Sequence, residues 1–280
     1  MAQKLGIAWF LTLSVLPLAA GLIYALLYSL GLAGILAEGF TLEYWQAVLS
    51  AGEIWSSLAY STYIATAAML IATLLALVLV LGLRSAFQKG LLSYVIYFPL
   101  AIPAMVAAFI SFQLLGKAGF FSRLSAQLGL IGDLQAFPDL VNDQWGIGII
   151  FSHSLMAFPF LLLLFLSTYE GEGIDKLRQL SRTLGAGEWE INRRVVVPIL
   201  LWRNVPSLLL YFIFVLGSYE IPLLLGRETP QMVSVLTIRK LQRYDLFEKP
   251  EAYVIALIYC VMVLIAMVIS LKRSKLLKAS

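Results

Sequence analysis

Long apolar stretches alternate with short polar connections along the 280 residues of this chain. A helix that crosses a membrane needs about 20 consecutive and predominantly apolar residues. Six stretches reach that length, so the pattern predicts an all-α integral membrane protein with six transmembrane helices. The predicted spans cover approximately residues 6–32, 57–83, 91–116, 145–168, 199–225 and 252–271.

The first stretch also has some features of a secretory signal peptide, because Lys4 precedes an apolar run and small residues follow. The apolar core of a signal peptide is about 7–15 residues long. Here the apolar run continues past Tyr28. We therefore expect a retained transmembrane helix.

Composition supports the same class of protein, since 61% of the residues are hydrophobic and 13% are charged. Soluble domains are about half apolar and about a quarter charged. The net charge of +4 needs no nucleic acid to explain it, because basic residues flank the last apolar stretch. The single cysteine, Cys260, and the single histidine, His153, exclude an internal disulfide and a Cys/His metal cage.

The distribution of Lys and Arg predicts which loops lie in the cytoplasm, where such residues accumulate. Loops 84–90 and 169–198 and the C-terminal tail are basic, so we place them in the cytoplasm together with the N-terminus. Loops 33–56 and 117–144 are then outside. Loop 226–251 holds five basic residues and is also outside in the six-span arrangement, which conflicts with the rule.

The loop at 169–198 is unusually long and charged. Residues 174–184 show helical apolar spacing, and Gly185 follows where a glycine can end a helix in the left-handed conformation. Acidic residues begin, and basic residues end, both 174–184 and 188–198, as the helix dipole favours. We predict two short amphipathic helices around a glycine turn. They could lie on lipid headgroups or dock a cytoplasmic partner, and the residues favour neither.

Polar groups and prolines inside the apolar stretches are candidates for a solute pathway, because buried polar groups are costly in a membrane. The candidates are Glu220, Tyr219 and Ser218 in span five, His153 in span four and Pro103 in span three. Each has a plainer interpretation: an interfacial position for the glutamate, an interhelical hydrogen bond for the histidine, and a structural kink for the proline.

The segment "RQLSRTLGAGEWEINRRVVVPIL" resembles the cytoplasmic signature loop of permease subunits of bacterial binding-protein-dependent ABC importers. Gly185 and Pro198 keep the family's spacing and residue types. Gln179, Leu180 and Ser181 stand where the family has Glu-Ala-Ala. Further stretches, including "FTLEYWQAVLS", "FPLAIPAM" and "FPFLLLLFLSTYEGEGIDKL", are similar to polyamine-, thiamine- and sulfate-type permeases, and the resemblance covers most of 40–271.

This resemblance implies a type I ABC importer permease fold, with a cytoplasmic coupling helix between spans four and five. It implies three partners: a dimer of ATPase subunits on the cytoplasmic side, a second permease chain, and an extracytoplasmic solute-binding protein. The second permease chain is more often a paralogue than a second copy of the same chain. The coupling residues it implies are Gln179, Leu180, Ser181, Leu184, Gly185, Ala186, Glu188, Trp189, Glu190 and Pro198.

We divide the chain into residues 1–56, with the first span and an outer loop, and 57–280, a five-helix permease core that includes the coupling loop. The sequence contains no Gly-x-x-x-x-Gly-Lys phosphate loop. We therefore expect no cofactor and no enzymatic activity in this chain, with ATP and Mg²⁺ bound by the ATPase. A secondary transporter or channel that works without an ATPase is the alternative, and the solute is left open.

Overall fold

The computed structural model describes residues 6, 9–35, 37, 39–88 and 92–278, and the regular structure in this part of the chain is helical. A π-helical turn, Leu11–Val15, precedes α1, and a second one, Asn192–Val196, joins α9 to α10. The helices are α1 (Leu16–Ser29), α2 (Glu43–Ser50), α3 (Gly52–Gln88), α4 (Leu92–Val95), α5 (Ala104–Leu115), α6 (Phe120–Gln127), α7 (Ile147–Gly171), α8 (Ile174–Thr183), α9 (Glu188–Ile191), α10 (Val197–Leu216), α11 (Glu220–Leu225), α12 (Val233–Gln242) and α13 (Glu248–Lys278).

Six helical stretches in the described residues are long and apolar enough to cross a membrane, which confirms the predicted number. They are Leu11–Ser29, Gly52–Phe87, Ala104–Gln127, Ile147–Gly171, Glu188–Leu216 and Glu248–Val268. The third stretch contains a turn between α5 and α6.

Span three, predicted over 91–116, is interrupted beside its prolines. A 3₁₀ turn, Phe98–Ala101, separates α4 from α5, and Pro103 is extended with φ −61° and ψ 149°. Proline disfavours the helical conformation in the residue before it, and Ile102 is extended, with φ −80° and ψ 123°. The helix therefore begins only at Ala104.

Span five, predicted over 199–225, is also interrupted. The helix α10 ends at Leu216, and α11 begins at Glu220 after a short break. Pro206 lies inside α10, which continues past it. The break instead coincides with Gly217 and the two polar residues that follow it.

The sequence predicted that the second half of the polar loop forms a separate short helix, but the structure shows a continuous helical stretch there. The helix α9 passes through the π-helical segment Asn192–Val196 directly into α10. Pro198 lies in the first turn of α10, where its missing N–H interrupts little of the hydrogen-bond pattern. The coupling loop therefore ends in the base of span five itself.

The described residues form two compact units, and the first comprises those within 1–59 and 232–266. Its apolar core contains Val48 of α2, Ile54 of α3, Leu236 of α12 and Val254 of α13. The rings of Tyr28 and Tyr253 lie 4.6 Å apart.

Within this unit, two basic residues of loop 226–251, whose predicted outside placement conflicts with the charge rule, form ion pairs. Lys240 lies 2.7 Å from Glu251, and Arg243 lies 2.7 Å from Glu248. The acidic partners lie in the first turn of α13. These pairs neutralise part of the positive charge of the loop locally.

The second unit comprises the described residues within 60–231 and 267–280. Its core is lined by Phe165 and Leu161 of α7, Leu200 of α10 and Ala72 of α3, all of them fully buried. Two polar residues also join spans four and five in this unit. The Nδ2 of Asn204 donates a hydrogen bond of 2.9 Å to Oγ1 of Thr168.

Candidate functional site

The helix α8 carries the first half of the predicted coupling surface. Ile174, its first residue, is fully buried in the core, and it is the one buried residue that the helix contains. Leu180 and Leu184 lie further along and are 60% and 80% exposed. The helix is thus anchored at its start, and it presents large apolar side chains to the outside at its end.

A glycine turn ends α8 as the sequence predicts. Gly185 has φ +84°, in the left-handed region that favours glycine. Its N–H donates to the carbonyl of Arg182 at 2.9 Å, and the N–H of Ala186 donates to the carbonyl of Ser181 at 3.1 Å. This pair of bonds is a Schellman motif, which satisfies the carbonyl groups at the helix end.

The helix α9 supplies the second half of the surface. Trp189 is 77% exposed, whereas Ile191 and Val196 are buried in the core. Glu190 forms an ion pair of 3.0 Å with Arg194 in the same helical stretch. Three large apolar side chains of the loop, those of Leu180, Leu184 and Trp189, are therefore exposed next to charged neighbours.

One glutamate connects the two halves of the loop. The Glu188 carboxylate accepts hydrogen bonds from Arg182, at 2.6 Å, and from Arg178. Burial disfavours the charge on Arg178, but hydrogen bonds to Tyr169 and Glu188 outweigh that cost and raise the pKa of its guanidinium. The turn at Gly185 is thus closed by a charged contact between α8 and α9.

A second set of polar contacts links α8 to spans two and four. Arg84, near the end of α3, donates to Asp175 at 3.0 Å, and its guanidinium carbon lies 4.0 Å from the centre of the Tyr169 ring. The hydroxyl of Tyr169 donates to the same carboxylate oxygen at 3.1 Å. Local sequence patterns could not reveal the pairing of Arg84 with Asp175, because 91 positions separate the two residues.

Most of the predicted pathway residues lie around the break in span five. His153 is 1% exposed, and its Nε2 lies 2.8 Å from Oγ of Ser218. Tyr219 is half-buried, and Glu220 is exposed at the first position of α11. Pro103 precedes α5, which packs against α11. The histidine therefore makes the interhelical hydrogen bond of the plainer interpretation, while the glutamate faces outward.

The bond between Ser218 and His153 is expected to hold the break in span five against span four. Replacing Ser218 with alanine removes it, and we expect a loss of about 1 kcal/mol, typical of interhelical hydrogen bonds in membranes. Thermal unfolding in detergent measures this loss.

Ser111→Ala is the matched control, because this buried hydroxyl donates to the Ala107 carbonyl of its own helix, a bond that joins no second helix. Equal effects of the two substitutions on the melting temperature would contradict the assigned role of the bond.

Comparison with known proteins places this chain in a family. Residues 79–274 match the model of the binding-protein-dependent transport system inner membrane component, and the chain belongs to that family. It is similar to the molybdenum transport system permease protein ModB of Escherichia coli K12, with 30% identity over 132 residues, 47% of this chain and 53% of that protein.

It is also similar to the thiamine transport system permease protein ThiP of Escherichia coli K12, with 26% identity over 234 residues, 82% of this chain and 42% of that protein. The chain spans about half the length of the curated relatives it matches.

The fold agrees with a crystal structure of a bacterial ABC transporter involved in the import of the acidic polysaccharide alginate. The TM-score is 0.70 and the identity 16%, over 96% of this chain and 92% of that chain. Together with the six helical stretches, this likeness confirms the all-α type I ABC importer permease fold.

Proposed function

We propose that this chain is the membrane-spanning permease subunit of an ATP-driven ABC importer. It forms half of a solute pathway and docks a cytoplasmic ATPase, and the ATPase binds ATP and Mg²⁺ and performs the hydrolysis. The N- and C-termini and the coupling loop lie in the cytoplasm, and the chain itself carries no enzymatic activity.

The observation that carries this proposal is the exposed apolar surface on the polar loop. Leu180, Leu184 and Trp189 are all exposed, although the loop is anchored in the core at Ile174 and Ile191. Exposed apolar groups ringed by charges are typical of an interaction site. Together with the family match over 79–274, this surface supports an ATPase as its partner.

The partners we propose are an ATPase dimer, a second permease subunit, an extracytoplasmic solute-binding protein and the lipid bilayer of a bacterial inner membrane. A paralogous second permease is preferred to a second copy of this chain. The proposed solute is small and delivered by the binding protein, and a polyamine, thiamine, iron, a phosphonate or an oxyanion would fit the sequence.

Glu220 is the proposed pathway residue with the largest electrostatic effect. It follows Ser218, which is bonded to His153, and that histidine lies six residues, or about 9 Å, into span four from its first residue. A carboxylate exposed at such a depth needs water or a protein partner, since lipid does not solvate it. We therefore place it on the pathway.

Glu220→Gln is expected to lower ATP-driven uptake about tenfold, because it removes a charge that the pathway solvates. Uptake of radiolabelled molybdate, thiamine and putrescine into proteoliposomes containing the whole importer measures this. Glu228→Gln, eight residues on and outside the helices, is the control. Unchanged uptake and unchanged ATP hydrolysis in Glu220→Gln would remove this residue from the pathway.

Co-purification tests the proposed function directly. The tagged full chain, solubilised from its native membrane, is expected to bring down a protein that hydrolyses ATP, in a ratio of one ATPase copy per permease chain. Deletion of 185–192 is expected to abolish this association. Solute uptake driven by an ion gradient without ATP would support the secondary transporter instead.

A further inference from the structure

The orientation of α8 depends on charged contacts. Beyond Ile174 no residue of this helix is buried, so apolar packing fixes only its first turn. The cleft beside it, with a volume of about 360 Å³, is lined by Arg84, Tyr169, Asp175 and Arg178. Side-chain hydrogen bonds and ion pairs therefore hold the rest of α8 against its neighbours.

These contacts form two brackets. In the first, Arg84 of span two and Tyr169 of span four both bond Asp175 in the first turn of α8. In the second, Arg178 and Arg182 of α8 both bond Glu188, in the helical stretch that becomes span five. Arg178 also donates to the Tyr169 hydroxyl at 3.5 Å, which joins the two brackets.

The brackets differ from ordinary surface ion pairs. An isolated exposed pair contributes little, because two long side chains must be ordered in water. Here Glu188 holds two guanidinium groups, and Arg84 is both paired with Asp175 and stacked on Tyr169. Each ordered side chain serves more than one contact, which makes the network stiffer than separate pairs would be.

We propose that Arg84, Asp175 and Glu188 are positioning residues that couple a displacement of α8 to spans two and five together. This inference deepens the proposed function and rests on it, since it takes α8 to be the element that the ATPase moves. A partner that pushes on Leu184 would turn α8 about its buried first residue. The two brackets transmit that movement to the ends of both spans instead of letting the helix rotate alone.

Glu188→Gln and Asp175→Asn test the proposal, because each keeps the side-chain shape and removes the charge. The reporter is Tyr219→Cys at the break in span five, in a Cys260→Ser background. The complex of the full chain with its co-purified ATPase is labelled from outside by a membrane-impermeant thiol reagent. Labelling rates are compared with and without ATP.

With native brackets, ATP is expected to change the labelling rate. In Glu188→Gln and Asp175→Asn, the ATP-dependent change in labelling rate per bound ATPase is expected to fall about tenfold, within the usual range of coupling between sites. The exchange of Arg84→Asp with Asp175→Arg rebuilds one bracket and is expected to restore part of the change, which a merely destabilised variant would not show.

Glu172→Gln is the matched control. Glu172 also forms an ion pair of 3.0 Å with span five, through Arg203, but neither residue belongs to α8. The proposal would be overturned if ATP changed the labelling rate as much in Glu188→Gln and Asp175→Asn as it does in the native chain. Loss of the ATPase from these variants would overturn it too, by assigning the residues to docking. Absence of any ATPase from the native chain would instead contradict the proposed function.

Discussion

Replacing Trp189 with alanine is expected to lower the affinity of the chain for its ATPase about 30-fold. Tryptophan side chains at the centre of an interface often contribute about 2 kcal/mol or more to binding, and each 1.4 kcal/mol is a factor of ten. Trp189 is 77% exposed on a loop that the buried side chains of Ile174 and Ile191 anchor in the core. Leu184→Ala should act in the same direction with a smaller effect, since it removes less apolar surface.

The measurement is the amount of ATPase retained on the immobilised full chain as its concentration is varied. Trp202→Ala is the matched control. This tryptophan is exposed too, at 60%, but it lies in span five beyond Pro198 and outside the polar loop. Retention that falls equally in both variants would contradict a dock at Trp189.

A second outcome would favour the other interpretation of the loop. If Trp189→Ala keeps the ATPase, and brominated lipids quench the fluorescence of Trp189 in a variant whose other five tryptophans are replaced by phenylalanine, the loop lies on lipid headgroups. The sequence left these two interpretations equal, and this pair of measurements separates them.

Gly146→Ala is expected to destabilise the second unit by about 3 kcal/mol, through strain and overlap together. Gly146 precedes α7 with φ +65°, a conformation that costs alanine about 1 kcal/mol. A Cβ there would lie 2.3 Å from Cδ1 of Ile64 and 2.6 Å from the hydroxyl of Tyr60. Such overlap in a packed core typically costs about 1–3 kcal/mol.

Thermal unfolding of the purified chain in detergent measures this effect, as a fall in melting temperature of about 10 °C. Gly173→Ala is the matched control, because Gly173 precedes α8 with nearly the same backbone angles, φ +59° and ψ 38°. Nothing lies within 4 Å of a Cβ at that position. If the two variants unfold at the same temperature, the overlap with Ile64 and Tyr60 is not the cause.

The polar loop shows which structural features local sequence patterns predict and which they do not. Helical spacing over 174–184 and a glycine after it predicted α8 and its Schellman turn, because both depend on residues close in sequence. The same reasoning placed a separate second helix at 188–198, which was wrong. Nothing local in "EWEINRRVVVPIL" ends a helix, since Pro198 lies where a first turn tolerates proline.

The candidate pathway shows where local sequence patterns do not suffice. Pro103 predicted a kink in span three, and span three is indeed interrupted next to Pro99 and Pro103. In span five the break falls at 217–219 instead, while Pro206 remains inside a helix. Neighbouring helices decide whether the carbonyl groups freed by a proline find partners, and a single stretch of sequence does not contain that information.

By itself, the sequence determined that this protein has six membrane-spanning stretches, a charged amphipathic helix before a glycine turn, and a loop with the spacing of a permease family. Each of these depends on hydropathy, helical period or local turn chemistry. The tertiary structure alone decided that His153 bonds Ser218, that Glu220 stays exposed and that Arg84 meets Asp175. The two contacts join residues 65 and 91 positions apart, and only the packing of helices in space brings such side chains within bonding distance. The exposure of Glu220 likewise depends on which helices surround it.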